Sequence, residues 1–147
     1  MENQPHRTAI SRKKPSKPME WLNTNKLLIG HVLDFGCGKG KDSNFYKLEK
    51  YDPYFFPNKP QEKFNTIACI YVLNVLEPDK EDEILEYIKS LLTEKGIAYL
   101  AVRRDIKKEG FTAHHTYQRN VILSLPVLVE NSRFCIYQLD KYFSIVS

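Results

Sequence analysis

The apolar residues of this chain gather in short runs separated by polar segments. Runs with few polar residues, such as Ile67 to Val72, are typical of strands buried on both faces of a parallel sheet. Looser runs, bounded by glycine, proline or charged residues, indicate the remaining strands. We predict strands at 31–35, 50–52, 64–73, 97–102 and 133–139.

Helical spacing is clearest over residues 79–93, where leucine and isoleucine recur every three or four positions. Pro78 and Asp79 suit the start of this helix, and we expect it to end before Gly96. Two shorter helices are predicted, one over the apolar residues from Met19 to Leu28 and one starting near Asp42 or Ser43.

The alternation of strands and helices predicts an α/β fold with a mostly parallel, doubly wound sheet. Residues 53–63 and 103–117 are predicted loops, and residues 118–129 fit either a helix or a strand. Residues 1–18 hold three prolines and no periodicity, so we predict a flexible or extended arm there. Residues 19–147 then form a single domain.

Composition excludes several classes of protein. The chain has 147 residues, of which 42% are hydrophobic and 27% charged, as in a one-domain globular protein. No apolar stretch approaches the roughly 20 residues of a membrane span, and the N-terminus lacks the apolar core of a secretory signal. Its three scattered cysteines argue for reduced thiols and a cytoplasmic protein without a zinc site.

The net charge of +4 is unevenly distributed, because the predicted arm is strongly basic. Such an arm either attracts the phosphates of a nucleic acid or is a solvated tail. The cations that we predict as nucleic-acid contacts are Arg7, Arg12, Lys13, Lys14, Lys17, Arg103 and Arg104.

The most informative motif is Leu33-Asp34-Phe35-Gly36-Cys37-Gly38-Lys39-Gly40, followed by a second acid in Tyr51-Asp52-Pro53. Glycines let the backbone approach a ligand closely, and an acid at the tip of the next strand accepts the hydroxyls of a ribose. The spacing differs from the dinucleotide motif, and no Gly-Lys-Ser/Thr indicates a P-loop. Because Asp34 would repel a pyrophosphate, a cationic nucleoside such as S-adenosylmethionine fits better.

Together with Tyr71-Val72-Leu73-Asn74-Val75-Leu76-Glu77 and Glu94-Lys95-Gly96, these motifs resemble class I S-adenosylmethionine-dependent methyltransferases. The resemblance covers roughly residues 30–103. It implies a Rossmann-like sheet, S-adenosylmethionine as the cofactor and methyl transfer as the activity. Only residues 53–63 separate the second strand from the next, so we expect the third strand of that fold, and its helix, to be missing.

A narrower set of blocks is similar to the methyltransferase region of the DNA phosphorothioation-associated putative methyltransferases. Besides the glycine motif, these blocks include His6-Arg7-Thr8-Ala9-Ile10, Ser16-Lys17-Pro18, Tyr51-Asp52-Pro53-Tyr54-Phe55 and Thr116-Tyr117-Gln118. Members of that family are much longer, so the resemblance implies that this chain corresponds to their cofactor-binding part. It does not define the methyl acceptor.

We predict that the cofactor is bound by residues of the glycine motif and of the strand ends. Asp34 would orient the ammonium directly or through water, Asp52 would hold the ribose, and Tyr54 and Phe55 would stack on adenine in place of the missing strand. Each position has a plainer alternative, namely a turn or a packing role. The predicted cofactor-binding residues are Asp34, Phe35, Gly36, Cys37, Gly38, Asp52, Pro53, Tyr54, Tyr71 and Asn74.

The predicted catalytic residues are Tyr71, Asn74, His115 and Tyr117. Tyr71 would face the sulfonium through a cation–π contact, Asn74 would orient the acceptor or the cofactor, and His115 with Tyr117 would supply acid–base chemistry. The alternatives are core packing for Tyr71, a loop cap for Asn74 and exposed loop positions for the other two.

Three functions stay open from the sequence. The leading one is a methyltransferase acting on a nucleic acid or a nucleic-acid-associated molecule. The others are a non-catalytic subunit that binds S-adenosylmethionine or nucleic acid beside a partner protein, and a small-molecule methyltransferase. The arm is either part of the nucleic-acid face or a lid over the cofactor.

Overall fold

The computed structural model describes residues 2–9 and 14–144. In these residues the strands are Val32–Phe35 (β1), Glu49–Tyr51 (β2), Phe64–Ile70 (β3), Leu92–Arg103 (β4), Gly110–Phe111 (β5), Tyr117–Gln118 (β6), Val127–Glu130 (β7) and Phe134–Asp140 (β8). The α-helices are Lys17–Thr24 (α1), Lys41–Tyr46 (α2) and Glu81–Ser90 (α3). Short 3-10 helices occupy Pro5–Thr8, Leu73–Val75 and Pro78–Lys80.

A six-stranded sheet in the order β2-β1-β3-β4-β8-β7 forms the centre of the fold. Strands β1 to β4 pair in parallel, whereas β8 is antiparallel to both β4 and β7. The prediction of a mixed α/β fold with a mostly parallel sheet is therefore confirmed. From β1 the chain crosses to β2 on one side and returns to β3 on the other, so the order of the strands reverses between β1 and β3.

Helices cover the sheet on both faces, because most of its strands are apolar on both sides. On one face, Ile88 of α3 belongs to a buried cluster with Leu33 and Leu100. On the other face, Leu22 of α1 is buried in a second cluster with Ala101. The N-terminus of α1 is capped by Ser16, whose side chain accepts a hydrogen bond from the amide of Met19.

The predicted end of the long helix is wrong. Helix α3 ends at Ser90, and Gly96 lies within β4. The register of β4 against β3 shifts between the pairs Phe64–Leu92 and Thr66–Ile97. A Cβ on Gly96 would lie 2.8 Å from the carbonyl oxygen of Phe64, so this glycine permits a close approach of two strands instead of ending a helix.

The prediction for the C-terminal third needs two further corrections. The predicted loop 103–117 contains β5, which forms a hairpin with β6 outside the main sheet. The segment 118–129 is neither one helix nor one strand, since it begins in β6, continues without regular structure and enters β7. Val121 and Leu123 are buried in that irregular part, so apolar residues in the sequence mark buried positions there without marking a helix or a strand.

Residues 52–63, between β2 and β3, hold no strand of the main sheet. An isolated antiparallel β-bridge between Asp52 and Phe56 forms a turn at the start of this segment. Strand β2 is therefore an edge strand among the described residues. In the part of the chain that the structure describes, no helix has the length and apolar character needed to cross a membrane.

Candidate functional site

A cleft of about 1190 Å³ opens at the carboxyl ends of β1, β2, β3 and β4. In open α/β sheets ligands bind at this edge, where the order of the strands reverses. The cleft is lined by the glycine loop (residues 36–41), the segment after β2, the segment after β3, the β5–β6 hairpin and the N-terminal residues 5–9.

The glycine loop requires glycine for both conformational and steric reasons. Gly36 has φ +74°, and a Cβ at this position would lie 2.3 Å from Cγ2 of Val72. Gly38 has φ +57°, and its Cβ would lie 3.3 Å from Cβ of Ala9. The first glycine thus allows the ends of β1 and β3 to meet, and the second allows the N-terminal segment to pass over the loop.

Hydrogen bonds tie the loop to the end of β2. The amides of Gly36 and Cys37 both donate to the carbonyl oxygen of Tyr51, at 2.7 and 3.1 Å. The amide of Gly38 donates to Oδ2 of Asp52 at 2.8 Å. The amides of Gly36, Cys37 and Gly38 are therefore engaged within the protein, and the role of the glycine loop in binding a cofactor stays a prediction.

Asp52 lies in the cleft and retains acceptor capacity. Its Oδ1 accepts the amides of Tyr54 and Phe55, at 2.9 and 3.1 Å, which fixes the turn after β2. Its Oδ2 accepts only the amide of Gly38 among the contacts of the described residues. A carboxylate oxygen has two lone pairs, so Oδ2 has room for one hydroxyl donor.

Asp34 behaves differently, because its carboxyl group lies below the cleft floor. The residue is 3% exposed, does not line the cleft and accepts a hydrogen bond from Ser43 Oγ at 2.8 Å. Burial raises the pKa of Asp34 to about 7; the Ser43 hydrogen bond opposes this rise, and the negative charges of Asp42 and Asp52 add to it. Direct contact between the Asp34 carboxyl group and the ammonium of a cofactor stays a prediction, and the buried position of Asp34 does not favour it.

The other predicted cofactor residues on this side, Phe35, Cys37, Pro53 and Tyr54, all line the cleft. Burial, with the charges of Asp34 and Asp52, raises the pKa of the Cys37 thiol to about 12. The thiol is therefore neutral near pH 7, which suits a small packing residue better than a nucleophile.

Tyr71 follows β3 with φ +63°, an unusual value for a residue with a large side chain. Its amide donates to the carbonyl oxygen of Ala101 at 2.8 Å, which holds this conformation against β4. Tyr71 lines the cleft. Strained backbone at the mouth of a cleft is common at functional sites, so the prediction of a functional role is retained.

Asn74 joins three segments of chain. Its Nδ2 donates to the carbonyl oxygens of Arg103 and Arg119, at 3.1 and 2.9 Å, and its Oδ1 accepts the amide of Arg103 at 2.8 Å. Both donor hydrogens of the amide are therefore used by backbone groups. Asn74 lines the cleft, yet its polar atoms act within the protein, as expected from the loop-cap alternative.

The two remaining predicted catalytic residues separate. Tyr117 in β6 lines the cleft and packs its ring on Phe111, with centroids 5.2 Å apart. His115 lies in the hairpin turn, is exposed and does not line the cleft. Its carbonyl oxygen instead accepts the amide of Gln4 at 2.7 Å.

Residues 2–9, which we call the strap, lie across the mouth of the cleft. Asn3 Nδ2 donates to the carbonyl oxygen of Val75 at 2.9 Å, beside the Gln4–His115 contact. His6 stacks on Tyr54 with ring centroids 3.7 Å apart and planes at 6°. Sequence reasoning did not identify His6 as a cleft residue, because only the fold brings it to a loop so distant in sequence.

The predicted nucleic-acid contacts are dispersed. Lys17 and Arg103 line the cleft, and Arg103 is paired with Asp105 at 2.9 Å. Arg104 is bonded to Glu130 and to the hydroxyl of Tyr137, away from the cleft lining. Arg7 and Lys14 are exposed, whereas Arg12 and Lys13 lie outside the described residues.

Two cations that line the cleft, Lys59 and Arg133, were missed because they belong to segments that the sequence analysis treated as loop and as the start of a strand. Within residues 2–9 and 14–144, no three His, Cys, Asp or Glu side chains form a group that could hold a metal ion.

Comparison with known proteins adds little to this geometry. No protein-family model matches the chain, and no curated protein does. Among solved structures, PKMT2 from Rickettsia typhi is similar over 48% of this chain and 20% of that protein, with 22% sequence identity and a TM-score of 0.36. The chain thus spans about a fifth of that protein's length, and a likeness this slight carries no argument about function.

Proposed function

We propose that this protein is an S-adenosylmethionine-dependent methyltransferase. The observation that supports the proposal most is the meeting of the glycine loop and Asp52 in one cleft, at the point where the strand order reverses. A carboxylate that holds a glycine-loop amide and keeps a free acceptor position suits a ribose hydroxyl.

The residues present fit an adenosyl ligand at its nucleoside end. Asp52 Oδ2 would accept a ribose hydroxyl, and the ring of Tyr54, two residues further on, would contact the base. This assignment replaces the third strand of the family fold, which we infer is missing here because residues 52–63 contain no sheet strand.

At the other end, Lys39 and Lys41 line the cleft and would attract the ligand's carboxylate. The cleft volume of about 1190 Å³ exceeds the roughly 300–1000 Å³ typical of small-molecule sites, which leaves space for an acceptor beside the cofactor.

S-adenosylmethionine supplies an electrophilic methyl group when bound, so the protein mainly needs to position an acceptor and exclude water. Tyr71 and Tyr117 are the side chains best suited to that task, since both line the cleft. Asn74 would act indirectly, by fixing the segment after β3 against the end of β4.

For the acceptor we propose a nucleic acid or a nucleic-acid-associated molecule. Lys17, Lys59 and Arg133 line the cleft, and Arg7 and Lys14 are exposed. Phosphate contacts make binding fall steeply with salt. A small-molecule acceptor remains the alternative when no such dependence is found.

A second candidate function, a non-catalytic cofactor-binding subunit beside a partner protein, is favoured by one specific observation. Two of the predicted catalytic residues are not available for a reaction in the cleft, since the side chain of Asn74 bonds backbone atoms and His115 lies outside the cleft.

Calorimetric titration with S-adenosylmethionine and S-adenosylhomocysteine tests cofactor binding. We expect micromolar affinity for both, and no heat at high micromolar ligand would end the proposal. Transfer of a radiolabelled methyl group to DNA, RNA or total small molecules then separates the methyltransferase from the non-catalytic subunit.

Filter binding to nucleic acid over a range of salt concentrations tests the acceptor class. Lys17→Ala should weaken binding and reduce the salt dependence, whereas Lys95→Ala, an exposed lysine at the opposite end of β4, is the matched control. An affinity that does not respond to salt would argue against phosphate contacts.

A further inference from the structure

The strap places an aromatic ring at the position where a nucleobase is expected. Tyr54 is fixed relative to Asp52, because its amide donates to Asp52 Oδ1 at 2.9 Å. A base attached to a ribose that Asp52 holds therefore comes within reach of the Tyr54 ring. The imidazole of His6 already lies on that ring, with centroids 3.7 Å apart.

We propose that His6 is a ligand-binding residue and that the adenine base inserts between His6 and Tyr54. This inference rests on the proposed function and extends it to a residue of the strap. It assigns the strap a direct role in recognising the base.

Insertion is favoured over displacement of His6 by the number of ring contacts. In the free protein the two rings make one aromatic contact with each other, and either mode of base binding breaks it. A base inserted between the rings gives two such contacts, whereas a base that displaces His6 gives one and leaves the imidazole without a stacking partner. The energetic difference is therefore one aromatic contact in favour of insertion.

Insertion requires the rings to separate from 3.7 Å to about 7 Å, twice the normal contact distance between carbon atoms. The strap allows this movement because none of the residues of its 3-10 helix, Pro5–Thr8, is buried. A shift of this turn therefore breaks no core packing. The hydrogen bonds of Asn3 and Gln4 hold the N-terminal end of the strap in place.

The C-terminal end of the strap lies against the glycine loop. Ala9 lies over Gly38, since a Cβ on Gly38 would be 3.3 Å from Cβ of Ala9. The strap therefore spans the cleft from the predicted base position to the glycine loop, and it would cover a ligand that lies beneath it.

Titration calorimetry of the full chain with S-adenosylhomocysteine tests the inference. We expect His6→Ala and Tyr54→Ala each to weaken binding about fivefold, because each variant loses one base–ring contact but no longer has to break the weaker His6–Tyr54 stack. His6→Phe should restore most of the affinity, because it keeps a flat ring. The double variant should lose more affinity than the product of the two single losses, because each single variant is spared the cost of breaking the His6–Tyr54 stack and the double variant is spared it only once.

Phe45→Ala is the matched control, because Phe45 and Tyr54 are exposed to similar extents, 59% and 60%, and Phe45 does not line the cleft. Unchanged or tighter binding in His6→Ala would overturn the inference while the proposed function stands. Absence of binding in the wild-type chain would end the proposed function and the inference with it. Circular dichroism of each variant verifies that the fold is intact.

Discussion

The cleft has two sides that use their polar groups in opposite ways. The glycine-loop side (residues 34–54) keeps an acceptor position free on Asp52 and an exposed ring on Tyr54. The hairpin side (residues 71–76 and 103–119) uses the amide of Asn74 entirely on backbone groups. The glycine-loop side has a hydrogen-bond acceptor left for a ligand, whereas the hairpin side uses its hydrogen-bonding groups to hold segments of the chain together.

This difference separates the groups that can bind a ligand from the groups that hold the wall of the cleft. A polar residue with spare hydrogen-bonding capacity beside a cavity can recognise a ligand, while a saturated one shapes the wall. The same distinction holds within the glycine-loop side, because Asp34 lies within β1 and Asp52 follows the neighbouring strand β2, and only Asp52 lines the cleft.

The largest expected effect concerns Asp34 and depends on pH. Because the pKa of Asp34 is raised from 3.8 to about 7, its folded form binds a proton more tightly than the unfolded chain does. Its contribution to stability is therefore present below pH 3.8 and is lost as the pH rises toward 7. Asp34→Asn should gain stability relative to wild type over this window, by up to about 4 kcal/mol.

Urea denaturation at pH 4 and pH 8 measures this gain. Asp82→Asn, which removes an exposed carboxylate, controls for the loss of one negative charge. A difference between Asp34→Asn and wild type that stays constant across pH would show that the Asp34 carboxyl is not held in an apolar environment.

The next effect concerns the contact between the two sides. Gly36→Ala introduces a Cβ that would lie 2.3 Å from Val72 Cγ2, in a backbone conformation with φ +74°. We expect a loss of about 3 kcal/mol in the free energy of unfolding, from overpacking and backbone strain together. The double variant with Val72→Ala should recover the steric part, and failure to recover any of it would locate the cost in the backbone alone.

Asn74→Ala tests whether the hairpin side is structural. The variant leaves the amide of Arg103 and the carbonyl oxygens of Arg103 and Arg119 without their partner, which should lower stability by about 2 kcal/mol. Asn44→Ala, at an exposed helical position, is the control. A catalytic role would appear differently, as lost methyl transfer with unchanged stability and unchanged cofactor affinity.

Asp52→Asn gives the smallest expected effect and tests the other side. The amide supplies one acceptor oxygen instead of two, so we expect about tenfold weaker binding of S-adenosylhomocysteine, equivalent to about 1.4 kcal/mol. Asp105→Asn, a carboxylate that lines the cleft near Arg103, should bind the ligand like wild type. If Asp52→Asn and Asp105→Asn bind S-adenosylhomocysteine with equal affinity, the proposed difference between the ligand-binding side and the structural side of the cleft is wrong.

Local patterns in the sequence predicted much of the fold. The apolar run Ile67 to Val72 and the helical spacing around Ile88 reflect burial against immediate neighbours, and both elements are present. The helix end predicted from Gly96 was wrong, because the missing side chain of this glycine permits a close approach to Phe64 that only tertiary structure shows. A local rule cannot distinguish a glycine that ends a helix from one that allows two strands to meet.

The candidate site was predictable to the extent that it is contiguous in sequence. Gly36, Gly38 and Asp52 lie within one strand–helix–strand unit, so their spacing alone placed them at one edge of the sheet. The partners of Asn74 and the stacking of His6 on Tyr54 join segments far apart in the chain. Spacing carries no information about such contacts, which depend on how the loops cross.

Strand β2 has one consequence for how ligand binding would be detected. It pairs only with β1 among the described residues, and it is the shortest strand of the main sheet. A short edge strand opens locally more often than the centre of a sheet, and its amide hydrogens then exchange with solvent. A ligand that binds Asp52 should slow this exchange at Glu49–Tyr51. Deuterium uptake in β2 would therefore report that the cleft is occupied, without any knowledge of the methyl acceptor.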